Sequence, residues 1–172
     1  MKDVDLRSAA HDPESRVSED DHDALRLWLR LLTCTLLIQQ RVRLRLRESF
    51  GISLARFDLM AQLERHPGGL KMGELSKRLM VTGGNVTLLT DQLVAEKLVE
   101  RRPIPGDRRA FAVRLTPKGK RLFDEMAATH ERWVIDMLGD LPRSDHARLY
   151  TLLGRLKHSV RSRDAHSNGS KR

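Results

Sequence analysis

Cysteine is all but absent from this chain. Cys34 is the only one in 172 residues, which excludes an intrachain disulfide and any multi-cysteine metal site. Aromatic residues supply only 4% of the sequence, so a core must be built mainly from Leu, Val, Met and Ala. No apolar signal segment opens the chain. The apolar run Leu36 to Ile38 is too short, and too closely followed by arginines, to span a bilayer. A cytoplasmic protein with no membrane partner is therefore expected. Catalytic groupings are missing as well. The histidines (His11, His22, His66, His130, His146, His158 and His166) fall mostly in tails, turns and polar helix faces, and no His-Glu-x-x-His spacing occurs. Nothing brings a nucleophile, a base and an orienting group together, so neither an enzyme nor a metal or cofactor is expected.

What the chain has in quantity is positive charge and leucine. The formal net charge is +9 with a pI near 10.4, and 40% hydrophobic residues suffice for a real core. Such a charge favours a polyanion; duplex DNA is the commonest, and RNA or an anionic membrane would also satisfy it. The placement of charge narrows the choice. Residues 1–20 carry three basic and six acidic groups, net −3, whereas residues 71–120 carry eleven basic and five acidic, net +6. The positive field therefore belongs to a segment with folding pattern and is not merely a decoration of the tails.

Residues 1–20 lack an apolar period and read as a flexible tail. From Asp23 to Arg47, Leu25, Trp28, Leu32, Thr35, Gln39, Val42 and Leu46 recur at helical spacing, and Leu27, Leu31, Leu36 and Ile38 widen that face. A helix apolar over so much of its girth needs neighbours on several sides, which points to a subunit interface and hence a homodimer. Ser53 is placed to cap a second helix that stops before His66-Pro67. A short helix, Met72 to Leu79, and a longer one, Gly83 to Glu96, flank a turn with Thr82 as cap. Two strand-like pieces, Val99–Arg102 and Ala110–Leu115, surround a Pro-containing turn, which predicts a hairpin irregular on its Pro side. Thr116-Pro117 starts a fifth helix, Gly139 to Pro142 breaks it, and Ser144 is the expected cap of a sixth.

The expected fold is mainly α: a winged helix-turn-helix with long N- and C-terminal dimerisation helices, six helices plus a β-hairpin wing. The segments are a tail (1–20), a dimerisation helix (21–50), a DNA-binding domain (51–116), dimerisation helices (117–160) and a flexible basic tail (161–172).

In a helix-turn-helix the second helix enters the major groove by its N-terminal end. Here that end offers Thr82, Gly83, Gly84, Asn85, Thr87 and Leu88. Asn can pair with adenine, Thr can bond phosphate or a base edge, and Leu can meet a thymine methyl. The glycine pair either lets the backbone approach a phosphate or is simply a loose helix start. No Arg or Lys lies between Thr82 and Glu96, so arginine forks to guanine are excluded from this helix. The electrostatic grip must come from the wing, where Arg108 and Arg109 suit a narrow minor groove and Asp107 would orient Arg109. Arg101, Arg102 and Arg114 are expected to face phosphates or solvent. Lys71, Lys77 and Lys118 are weaker candidates for phosphate contact.

The stretches Gly73-Glu-Leu-Ser-Lys-Arg-Leu79, Asn85 to Leu93, Lys97-Leu-Val-Glu-Arg101, Asp107-Arg-Arg109 and Leu115-Thr-Pro-Lys-Gly119 resemble the MarR family of regulators. The resemblance extends from about Asp23 to Val160. It implies an obligate homodimer whose paired winged helices read a pseudopalindrome, with Arg109 in the minor groove and Asp107 its partner. It also implies a repressor released by a small ligand bound between the dimerisation and DNA-binding regions; an activator of the same fold is the alternative. Thr82 to Thr87 further resembles members that control aromatic-acid degradation, including hydroxycinnamates, some sensing the coenzyme A thioester. Arg41 and Arg45, one turn apart on the first helix, would suit such an anionic effector, although Arg43 and Arg47 form a second pair and all four also fit an ordinary charged helix end. One branch of the family senses peroxide through a first-helix cysteine ringed by tyrosines. Cys34 permits that redox reading, but Tyr150 is the only tyrosine, and a packing role is expected.

Overall fold

A computed structural model describes residues 22–79, 83–104 and 107–169, the side chains of 107–110 and 163–169 excepted. The elements are α1 (Asp23–Phe50), α2 (Leu54–Glu64), β1 (Leu70–Lys71), α3 (Met72–Leu79), α4 (Gly83–Ala95), β2 (Val99–Ile104), β3 (Asp107–Leu115), α5 (Pro117–Leu138) and α6 (Arg143–Gly169). Six helices and a small sheet match the expected class. The chain divides into two compact units, one up to His130 and one from Glu131.

In the first unit α1 runs past Arg47 to Phe50, where Gly51 adopts φ 64° and its N–H closes onto the Arg47 carbonyl. Of the long apolar face only Val42 and Leu46 are buried. Leu25, Trp28, Leu32 and Leu36 remain exposed, because the face extends far beyond the core it serves. Cys34, expected to pack, is also exposed in the single chain. The Ser53 hydroxyl accepts the Arg56 N–H at 3.3 Å, the expected cap of α2. That helix buries Phe57, Leu59, Met60 and Leu63, with the Phe57 ring stacked on Phe123 at 5.5 Å.

The sheet holds one strand more than a hairpin. β1 pairs antiparallel with β3 (Leu70 opposite Val113), giving the order β1-β3-β2. Two residues carry no detectable period, which is why this strand escapes a sequence reading. Both hairpin strands are longer than expected. Pro103 stands opposite Phe111, and the register slips between Pro103 and Ile104, the irregularity anticipated from a residue without an N–H.

The unit is fastened at the turn after α4. Lys97 takes a left-handed conformation (φ 59°), its N–H donating to the Val94 carbonyl and that of Leu98 to the Leu93 carbonyl, both at 2.9 Å. This is a Schellman ending with Lys where Gly is usual. The Leu98 carbonyl in turn accepts the Thr116 N–H at 3.0 Å and is 3.3 Å from the Thr116 hydroxyl, which also reaches the Lys97 carbonyl at 2.8 Å. Thr116 Oγ1 accepts the Gly119 N–H at 3.0 Å and so caps α5, with Pro117 at the first helical position, as expected. A Cβ at position 119 would lie 1.8 Å from the Leu98 oxygen. The Leu-Thr-x-x-Gly motif is therefore a joint, with its glycine demanded by contact with backbone.

In the second unit α6 begins one residue before the expected cap, Ser144. The Asp145 and His146 N–H groups donate to the Pro142 carbonyl, which places Ser144 inside the helix. The helix also continues past Val160 to Gly169, since no Gly or Pro interrupts residues 155–168. No described residue of α6 is buried, and Leu149, Leu152, Leu153 and Leu156 are exposed.

Because Gly119 abuts a carbonyl that other hydrogen bonds hold in place, Gly119→Ala is expected to cost about 3 kcal/mol of stability. Urea unfolding measures it; an unchanged midpoint would contradict the joint.

Candidate nucleic-acid interface

α3 packs against α4, with Leu75, Val86, Thr90 and Leu93 buried and the Thr90 hydroxyl donating to the Val86 carbonyl at 2.7 Å. Val86, Thr90 and Leu93 recur at three- and four-residue steps along α4, and Leu89 beside them is half-buried. Their burial leaves Gly83, Gly84, Asn85, Thr87 and Leu88 on the exposed side, Leu88 at 59%. The five residues lie together at the helix N-terminus, where the first-turn backbone N–H groups and the helix dipole favour an anion. The Thr87 hydroxyl donates to the Gly83 carbonyl at 3.1 Å, so it presents an acceptor outward until that bond is exchanged. Thr82 and the turn itself, residues 80–82, lie outside the described residues.

Among the described residues, a Cβ at Gly83 or at Gly84 would meet nothing within 4 Å, and neither glycine is among those with positive φ. No described neighbour thus requires glycine at either position, while glycine inside a helix costs about 1 kcal/mol relative to Ala.

On the wing, strand alternation separates the cations. Val99 and Arg101 share one face of β2, and Glu100 and Arg102 the other. Arg101 Nη2 lies 2.5 Å from Asp91 Oδ1 on α4. On the opposite face Glu100 Oε1 accepts from Arg102 Nε at 3.0 Å and from Arg114 Nε at 2.7 Å, Arg114 being its cross-strand neighbour. The hydrogen bonds from Arg102 and then Arg114 hold the Glu100 carboxyl below its usual range. Its contribution to stability is thus present above the ordinary Glu value and lost as pH falls through the lowered one; solvent exposure keeps it small.

Arg101, Arg102 and Arg114, expected to face phosphates or solvent, each have a carboxylate partner within the protein. Sequence reading missed those partners, Asp91 and Glu100. The alternation of β2 signals the Glu100 group, whereas nothing local signals Asp91. Lys118 Nζ donates to the Glu96 carbonyl at 3.0 Å, while Lys71 and Lys77 are exposed. Asp107 pairs with Ile104 in the ladder, but the side chains of Asp107, Arg108 and Arg109 lie outside the described residues. On α1, Arg41 is exposed and Arg45 half-buried. Among the described residues no group of three His, Cys, Asp or Glu is placed to hold a metal, and no helix is long and apolar enough to cross a membrane.

A model described as the MarR family matches residues 50–110. The HTH-type transcriptional regulator PecS of Dickeya dadantii is 30% identical over 117 residues, 66% of this chain and 70% of that protein. A MarR family transcriptional regulator from Silicibacter pomeroyi is 32% identical in sequence; its crystal structure superposes with a TM-score of 0.70, covering 84% of this chain and 99% of that one. The chain belongs to the MarR family. It is a DNA-binding transcriptional regulator, of a family whose members are typically not catalysts. Wild-type MarR from E. coli shares 25% identity and a TM-score of 0.67 over 74% of this chain and 94% of that one. The matched segment of this MarR-family chain contains both the exposed end of α4 and most of the hairpin.

Glu100 restrains two guanidinium groups of the wing, so Glu100→Gln is expected to tighten binding to duplex DNA without regard to sequence. The slope of log K against log salt should steepen by about one. An unchanged slope in a salt titration would contradict this electrostatic restraint.

Proposed function

We propose that this regulator is a homodimeric repressor that reads a pseudopalindromic duplex and is released by a small aromatic acid or its coenzyme A thioester. The observation that carries the DNA-reading part is the glycine pair of α4. The described residues leave room for side chains at Gly83 and Gly84, and a helix is more stable with them, so on this reading their absence serves something outside the chain. Phosphate approaches the bare helix end, Asn85 reads adenine, and Thr87 and Leu88 contact the neighbouring base edge and a thymine methyl. Thr82, Arg108 and Arg109 complete the contact, with Asp107 orienting Arg109. Dimerisation is supported by the apolar faces that each unit leaves uncovered, Trp28 and Leu32 on α1 and Leu149 to Leu156 on α6. Arg41 and Arg45 on α1 are the cations offered to the effector carboxylate or thioester phosphates.

A random duplex pool offered to the full-length protein should return an inverted repeat with half-sites one helical turn apart. Hydroxycinnamic acids, or their coenzyme A thioesters, should then dissociate the complex. Gly84→Ala is expected to raise stability by about 0.5–1 kcal/mol yet weaken duplex binding about tenfold, roughly one charge-assisted hydrogen bond. Unimpaired binding by that variant would remove the close-approach argument. Enrichment of no sequence at low salt would overturn the reading as a whole.

A further inference from the structure

The wing root is fixed beside α4 at Leu98 and Thr116, and β1 pairs with β3 at Val113 and Ala112, but a hairpin joined to α4 only at its root can still swing against that helix. A second attachment lies partway along it. Arg101 of β2 carries its guanidinium to the Asp91 carboxylate of α4, Nη2 to Oδ1 at 2.5 Å. Among the described residues this is the one ion pair that joins α4 to the sheet. Asp91 follows Thr87 by four residues and Leu88 by three, so it borders the groove-facing surface of α4. A bare carboxylate there would repel phosphate; paired, it is neutralised and ties the helix to the wing.

We propose that the Asp91–Arg101 ion pair sets the position of the wing against the reading helix, making Arg101 a positioning residue for DNA binding. The two attachments have different work. The Leu98 joint fixes where the hairpin starts, and the ion pair fixes its angle to α4. Major-groove and minor-groove contacts can then be made together without ordering the hairpin at the moment of binding. Arg102, on the opposite face, is turned to Glu100 and cannot substitute. The inference rests on the DNA-reading surface proposed above.

The test uses the full-length protein with Asp91→Asn, Arg101→Gln and the charge swap Asp91→Arg with Arg101→Asp. The first readout needs no DNA: amide hydrogen exchange across residues 99–115. Each single variant should exchange there about two- to fivefold faster, the range carried by an exposed ion pair, with α2 unchanged and the swap restoring protection. The second readout is a hydroxyl-radical footprint on a duplex that the unaltered protein selects from a random pool. Both single variants should lose minor-groove protection beside the half-sites while keeping protection within them. Unchanged exchange in both single variants would overturn the proposal. So would tighter binding by Asp91→Asn together with a salt slope shallower by about one for Arg101→Gln, the signature of a phosphate ligand. If the unaltered protein selects no duplex, the DNA-reading proposal fails, and the exchange experiment still decides whether the ion pair holds the wing.

Discussion

One backbone carbonyl, that of Leu98, gathers the elements proposed to read DNA. It lies at the end of the turn that stops α4, immediately before β2, and it receives both the backbone and the hydroxyl of Thr116 at the start of α5. The left-handed backbone at Lys97 is an uncommon conformation for a residue with a side chain, and two Schellman hydrogen bonds keep it. Gly119 is the other half of the constraint, since only a residue without a Cβ lets α5 begin against that oxygen. Reading helix, wing and the helix leading out of the domain are thereby given fixed origins from a handful of backbone atoms.

From that origin the charge of the chain is arranged more sparingly than its +9 total implies. Within the described part of the interface Arg101, Arg102 and Arg114 are each engaged by a carboxylate, and Lys118 by a carbonyl. The exposed end of α4 has no cation at all. The complementarity to DNA proposed for it lies in backbone donors, an amide, a hydroxyl and an apolar side chain, groups that depend on close fit more than on long-range attraction. A positive surround that steers and a neutral contact surface that discriminates are compatible with one another, and the ion pairs keep the two from merging.

The legible parts of the fold were those written in local chemistry. Ser53 and Thr116 announce their caps and Pro103 its disturbance of the hairpin, because each effect acts within a few residues. β1 was hidden, since two residues make a strand only when β3 arrives beside them. Ser144 looked like a cap, but the Pro142 carbonyl accepts the first helical N–H groups instead. Gly119 could be noticed as part of a motif, yet its reason is a carbonyl some twenty residues earlier in the chain. At the interface the exposed set Gly83, Gly84, Asn85, Thr87 and Leu88 followed directly from helical period. The partners of the wing arginines did not, because Asp91 meets Arg101 only once the hairpin has folded back along α4.

The central claim is that the N-terminal end of α4 lies in the major groove. With Cys34→Ser removing the only native thiol, Leu88→Cys carrying a tethered iron chelate would cut DNA wherever that end of the helix sits. Strand breaks centred on the major groove of each half-site are the expected pattern. Breaks spread evenly along the duplex, or confined to its flanks while binding persists, would contradict the account.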